Sequence, residues 1–231
     1  MRSHVLSGGI AVLAFAAVAG LAVAADTGTI VGQVSFEGTP PAPKKIEVTK
    51  DQQVCGKEKE AESLIVGSDG GIKNAVVHLT GVSGGAKPEA KTVTFDQKQC
   101  HYVPHVLMFP EGSTVKILNS DGILHNIHTY SQKNPSFNKA QPKFKKEIEA
   151  SFKEPENIKV TCDAHGWMSG VFVVQDSPYY ALTGDDGKFK IENVPAGEQT
   201  IKVWHEELGE KEQKVKVEAG KEAEVAFKLS K

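Results

Sequence analysis

Read for period, the chain falls into short β-rich runs: TIVGQVSF, NAVVHLTG, KTVTFDQ, HVLMF, TVKILN, HNIHTY, IKVTC, VFVVQ, KFKIENV, QTIKVWHE, KEQKVKVEA and AEVAFKLS. Apolar and polar positions alternate in many of them, and Gly, Pro, Asn and Asp bound them, which is the pattern of half-buried strands. Almost no stretch carries helical period. The segment KAQPKFKKEIEASFKEPENI has the Lys/Glu content of a helix, but Pro142 and Pro155 interrupt it, so a loop and an edge strand fit at least as well. The pattern predicts an all-β protein.

Two segments, VGSDGGIKNAVVHLTG and LTGDDGKFKIENVPAG, each set an Asp-Gly pair before a β-rich run. That pair supplies the positive φ a tight turn requires. From about Ser177 onward, TGDDGKFKIENVPAGEQTIKVWHEELG resembles the carboxypeptidase regulatory-like, or prealbumin-like, β-sandwich, and GTIVGQVSFEGTPP near the start resembles the first strand of such a sandwich. The expected division is a leader over 1–24, an N-terminal β segment over 25–90, a central domain over 91–176 and the prealbumin-like sandwich over 177–231. Either the two ends form one sandwich with the middle inserted, or the modules stand in tandem.

The first residues, MRSHVLSGGIAVLAFAAVAGLAVAAD, have a basic start at Arg2, an apolar stretch and the triplet Ala22-Val23-Ala24. A secretory signal peptide is expected there, giving an exported, periplasmic chain without stable membrane insertion after cleavage. Roughly 205 residues would remain, enough for one large or two small domains. A net charge of -2 argues against a nucleic-acid partner. Cysteines occur only at 55, 100 and 162, and an odd count in an oxidising compartment leaves one thiol without an internal partner. Cys162 is the one with further metal ligands beside it. Cys55 and Cys100 are then free to pair as a disulfide, although sequence does not give connectivity.

Candidate chemistry is concentrated in VTCDAHGWMSGVFVV, where Cys162, His165 and Met168 follow one another at three-residue steps. Gly166, Gly170 and the flanking β-branched runs favour a strand-loop-strand over a helical turn. Upstream, FPEGSTVKILNSDGILHN ends on His125 and Asn126. A His-Asn at one strand end and Cys-x2-His-x2-Met after another resembles the cupredoxins, over roughly residues 91 to 176, with a ligand loop as compact as in the amicyanin-like members. The resemblance implies a Greek-key cupredoxin β-sandwich beside the second sandwich. It also implies one type 1 copper ion held by His125, Cys162 and His165 with Met168 as a weak axial ligand. Asn126 would tie the His loop to the Cys loop, and His165 would be the ring nearest solvent.

Ligand chemistry agrees: thiolate and thioether suit Cu(I), and imidazole serves both copper oxidation states. Zinc is the poorer match, because Met is a weak zinc ligand and a second Cys is missing. His128 competes with His125 for the ligand role. His101, His105, His128 and His205 would have to converge to form a second metal site. Trp167 either shields the metal or simply packs, and the lysines between Lys133 and Lys159 form either a docking face or a solvated surface. The expected function is a periplasmic electron carrier, not an enzyme, working between two redox protein partners. The alternative is a copper-binding and delivery protein that relays no electrons.

Overall fold

The structure is a computed structural model that describes residues 26–82 and 85–231. The leader expected over 1–24 lies outside the described residues. In chain order the first part holds β1 (Thr27–Phe36), β2 (Lys45–Glu47), the one-turn helix α1 (Gln52–Cys55), β3 (Glu58–Glu60) and β4 (Val76–Thr80). The middle holds β5 (Thr92–Lys98), β6 (His101–Val103), β7 (Val106–Pro110), β8 (Thr114–Asn119), β9 (His125–Tyr130), β10 (Asn138–Gln141), β11 (Glu147–Ser151), β12 (Glu156–Thr161) and β13 (Ser169–Gln175). The last part holds β14 (Tyr180–Leu182), β15 (Lys188–Pro195), β16 (Gly197–His205), β17 (Gly209–Val217) and β18 (Glu222–Leu229). The protein is all-β. The Lys/Glu segment forms β10 and β11, each at the edge of its sheet, and runs on into the interior strand β12; Pro142 follows β10 and Pro155 precedes β12, both outside the strands themselves.

Strands from both chain ends build one sandwich. In its three-stranded sheet β1 lies between β15 and β18, antiparallel to the first and parallel to the second. The facing sheet runs β14-β4-β16-β17. Alternate residues such as Ile30, Val34, Val77, Phe189, Ile201, Val203 and Phe227 meet between the two sheets. The two Asp-Gly turns abut: a Cβ on Gly71 would lie 2.2 Å from the Asp186 carbonyl oxygen, so no larger residue fits.

The middle of the chain forms a second sandwich, a five-stranded sheet β10-β9-β12-β13-β7 over a four-stranded sheet β11-β8-β5-β6. Its core is aromatic, with Phe172 set edge-on to Phe95, Phe109 and Phe152 at ring-centroid separations of 4.7, 5.7 and 5.3 Å. Edge-to-face pairs add to the burial term because ring quadrupoles favour that geometry. The run GVFVV in β13 does not alternate, for a structural reason. Phe172 and Val174 face this core, while Val171 and Val173 join Val106 and Val76, with Tyr180 and Trp204 against them, between the two sandwiches. A strand covered on both faces reads as continuous apolar sequence.

Candidate metal centre

β8 ends on Asn119, whose buried side chain shapes the following turn: Nδ2 donates to the carbonyls of Ile123 and Gln141 at 2.8 Å each, and Oδ1 accepts from the Asp121 N–H at 3.2 Å. The turn delivers His125 to the first position of β9. On the neighbouring strand, Thr161 of β12 pairs with His128 of β9 and with Ser169 of β13, so Cys162 leaves the sheet beside His125. The loop from Cys162 to Met168 is closed by Met168 N–H to His165 O at 2.9 Å and Cys162 N–H to Met168 O at 3.2 Å.

Three donor atoms converge. Cys162 Sγ lies 3.9 Å from His125 Nδ1 and 3.9 Å from His165 Nδ1, and the two Nδ1 atoms are 2.9 Å apart. An ion held at roughly 2.0 Å from nitrogen and about 2.3 Å from sulfur spans a triangle of this size. His125, Cys162, His165 and Met168 are 0, 1, 1 and 2 % exposed. The donor set, two imidazoles and a thiol in a dry place, therefore fits a borderline-to-soft transition metal.

Each imidazole is also held at its other nitrogen. His125 Nε2 meets Asp121 Oδ2 at 2.9 Å, and His165 Nε2 meets Asp51 Oδ2 at 2.9 Å. Asp121 in turn accepts the Gln99 and Cys100 N–H groups at 2.5 and 2.8 Å. In the metal-free chain burial works against charge on His125, but Asp121 and the Cys162 sulfur override it and push the pKa up to about 9. His165 lies below its ordinary value, because burial and the neighbouring His125 charge outweigh Asp51. The hydrogen bond from His165 holds Asp51 below the usual carboxylate range; Asp121 is also low, its bonds from His125, Cys100 and Gln99 outweighing burial.

Asn126 lies between the two loops. Its Oδ1 accepts the Ala164 N–H at 3.0 Å and the Cys162 thiol at 3.3 Å, its backbone N–H points at Cys162 Sγ at 3.4 Å, and its Nδ2 donates to Asn138 at 2.7 Å. Tyr102 hydroxyl donates to the carbonyls of Asn126 and Thr161 at 2.7 and 2.9 Å, bridging β9 and β12.

The solvent-facing His165 implied by the cupredoxin resemblance is corrected here: at 1 % exposure the ring is closed in. The segment around Asp51 lies on its Nε2 edge, and Trp167 packs 5.0 Å from it, centroid to centroid. Cys55 and Cys100 are joined as a disulfide, and Cys162 is free and buried. The remaining histidines go elsewhere. His128 turns to Asp163 and Tyr130, His101 to Glu62, His105 to Glu206, and His205 accepts the Glu207 N–H. Among the described residues, the convergent groups are His125, Cys162 and His165, and a second one in which Cys100, bound in the disulfide, has no thiolate to offer. Asp51 and Asp121 were not singled out by sequence. Asp121 had a local signal, an acid four residues before His125, whereas Asp51 is 114 residues from His165.

The centre and its two-layer surroundings define a buried His2Cys site in an all-β scaffold. The model of polysaccharide lyase family 4, domain II, matches residues 158–225, which run from β12 into β18 across both sandwiches. No curated protein matches the chain in sequence. Similar solved structures include a Cu-containing nitrite reductase from Thermus scotoductus SA-01, 25% identical over 42% of this chain, with a TM-score of 0.33. The match spans 25% of that reductase. The purple cupredoxin from Nitrosopumilus maritimus is 25% identical over 38% of this chain and 100% of its own, at a TM-score of 0.30. A mutant of amicyanin in its Cu(I) form is 21% identical over 41% of this chain and 87% of its own, at 0.33.

Proposed function

We propose that the protein is an exported copper protein that accepts and passes on single electrons, with one copper held by His125, Cys162 and His165 and Met168 as a weak fourth ligand. The observation that carries this is the meeting of two imidazole Nδ1 atoms and one thiol within 4.8 Å in a buried site. Copper when bound would supply a one-electron couple, for which a His2Cys plane with a distant thioether suits both oxidation states.

The protein's own groups support that role. Asn126 and the Cys162–Met168 turn hold the sulfur, and each ring has a carboxylate at its other nitrogen, so little has to move when the charge of the site changes. His125, Cys162 and His165 are buried, as is Met168 at the end of the same loop, and such a closed centre suits a carrier better than an enzyme, which keeps a coordination position open to substrate. Closure of both rings also speaks against a delivery protein, which needs an exchangeable, open site. We take the sandwich of both chain ends, with its prealbumin-like sequence, as the carrier's support. Redox protein partners would approach over the segment around Asp51, which covers His165.

A redox titration of the copper-loaded chain tests this. One reversible one-electron wave is expected, shifted but retained in Met168→Leu. Absence of a reversible wave, with copper bound, would rule out electron relay.

A further inference from the structure

We propose that Asp51 and Asp121 are positioning residues for the two imidazoles, and that the Cys55–Cys100 disulfide makes them act as one unit. The proposal rests on the copper site above and extends it to residues outside the ligand loops.

A ring ligated through Nδ1 alone can still turn about its bond to Cβ. A carboxylate on Nε2 fixes both the tautomer and the orientation. Here both rings have one: Asp121 on His125 and Asp51 on His165, each at 2.9 Å. The carboxylates come from segments distant in sequence, yet both are anchored to the same bridge. Asp51 immediately precedes α1, and its carbonyl accepts the N–H groups of Val54 and Cys55 at 2.9 Å each. Cys55 is bonded to Cys100, whose own N–H donates to Asp121 at 2.8 Å. A continuous path thus runs from His165 through Asp51, Cys55, Cys100 and Asp121 to His125.

Left-handed backbone flanks the bridge on both sides. Asp51, Gln99 and Cys100 have φ of 50°, 52° and 56°, the left-handed region that side-chain-bearing residues rarely adopt. Gln99 and Cys100 are the two central residues of the hairpin between β5 and β6, a turn that requires positive φ at both, and in it both N–H groups donate to the Asp121 carboxylate. The bridge is buried, with Cys55 and Cys100 at 2 and 0 % exposure. Lys50 also reaches the ligand loop, donating to the Ala164 carbonyl at 3.5 Å. Residues 48 to 56 form a strap drawn over His165 and tied at one end by the disulfide.

The test uses the full chain with Asp51→Ala, Asp51→Asn, the pair Cys55→Ser with Cys100→Ser, and Asp51→Ala added to that pair. Copper loss to an excess chelator is followed by the visible thiolate-to-copper band. Asp51→Ala and the serine pair should each speed release by about 10- to 100-fold, the range for loss of a carboxylate behind a metal-bound histidine. Asp51→Asn, whose Oδ1 still accepts from Nε2–H, should recover part of the loss. Combined, the changes should be no faster than either alone within about threefold, because they break one path. Rates that multiply would overturn the coupling, and unchanged rates would overturn the positioning role.

Ring-nitrogen NMR of the metal-free chain gives a readout independent of copper. The hydrogen-bonded His165 Nε2–H signal should disappear in the serine pair. Its persistence there would refute the disulfide's part even if no copper band forms, an absence that would count against the copper site alone. Should the serine pair fail to fold, Asp51→Ala with Asp121→Asn replaces it, with the same non-multiplying release expected and multiplying rates again contradicting the proposal.

Discussion

Asn126 and Cys162 are bound to each other twice: the Cys162 thiol donates to Asn126 Oδ1 at 3.3 Å, and the Asn126 backbone N–H points back at the sulfur at 3.4 Å. The same Oδ1 accepts from Ala164 N–H, so one amide side chain joins the end of β9 to the loop after β12. Asn126→Ala would remove the side-chain half and leave Ala164 N–H without its partner. The expected cost to the metal-free fold is about 1–3 kcal/mol, with metal release faster by about 10- to 100-fold. Urea unfolding and chelator competition measure the two effects separately.

Tyr102 bridges the same two strands from below. Its hydroxyl serves the carbonyls of Asn126 and Thr161, and its ring, fully buried, stacks on Phe95 at 4.8 Å. Burial keeps the phenol neutral, its pKa well above the ordinary value. Tyr102→Phe preserves the packing and deletes the bridge, so unfolding should become easier by about 1–3 kcal/mol while the aromatic core stays intact by near-UV dichroism.

The contact between the two sandwiches should be sensitive to alkali. Near His205, whose pKa is lowered by burial first and by the His105 charge in addition, His105 is buried in the β6–β7 turn with Glu206 at 2.5 Å and Glu62 at 4.0 Å. Burial alone would lower its pKa, but Glu206 and then Glu62 raise it above the ordinary 6.5. A histidine whose folded pKa is raised contributes stability that is complete below 6.5 and lost as pH rises through the folded value. Unfolding free energy measured across neutral to alkaline pH should fall, and Glu206→Gln should flatten that slope. An unchanged slope in the variant would assign it to other groups.

Glu156 makes the opposite prediction on the acid side. Its carboxylate accepts from the Ser131 hydroxyl at 2.5 Å, the Gln132 N–H at 2.5 Å and Asn134 Nδ2 at 3.1 Å, holding the turn after β9. Burial tends to raise its pKa, but these bonds outweigh it and the value is lowered from 4.5. Its contribution is therefore present above 4.5 and lost as pH falls through the folded value. Glu156→Gln should reduce that acid dependence, and hydrogen exchange of the Gln132 and Lys133 amides should speed up in the variant.

Most of the strands were legible in the sequence because alternation is a local property. β12 and the ligand loop announced themselves in IKVTC and CDAHGWM, and HNIHTY is β9. β2, β3 and β14, three residues each, carry too few alternations to register, and β6 was hidden in CHYVPHVLMF. Within the centre, His125, Asn126, Cys162 and His165 do come together, since ligand type and spacing lie in two short segments. What sequence did not show was the backing of the rings. Asp51 meets His165 across 114 residues of sequence, from a segment joined to Cys100 by a disulfide across 45 residues, and no local pattern encodes that. The solvent-facing His165 implied by the cupredoxin resemblance is not found for the same reason: the cover comes from a segment outside the matched region.

The most direct test of the proposed copper site is an optical and EPR spectrum of the purified chain with one equivalent of Cu(II), recorded beside Cys162→Ala. An intense visible thiolate-to-copper band with narrow hyperfine splitting, absent from the variant, is the expected result. A weak, broad spectrum that is the same in both proteins would put copper on histidines away from Cys162 and contradict the account.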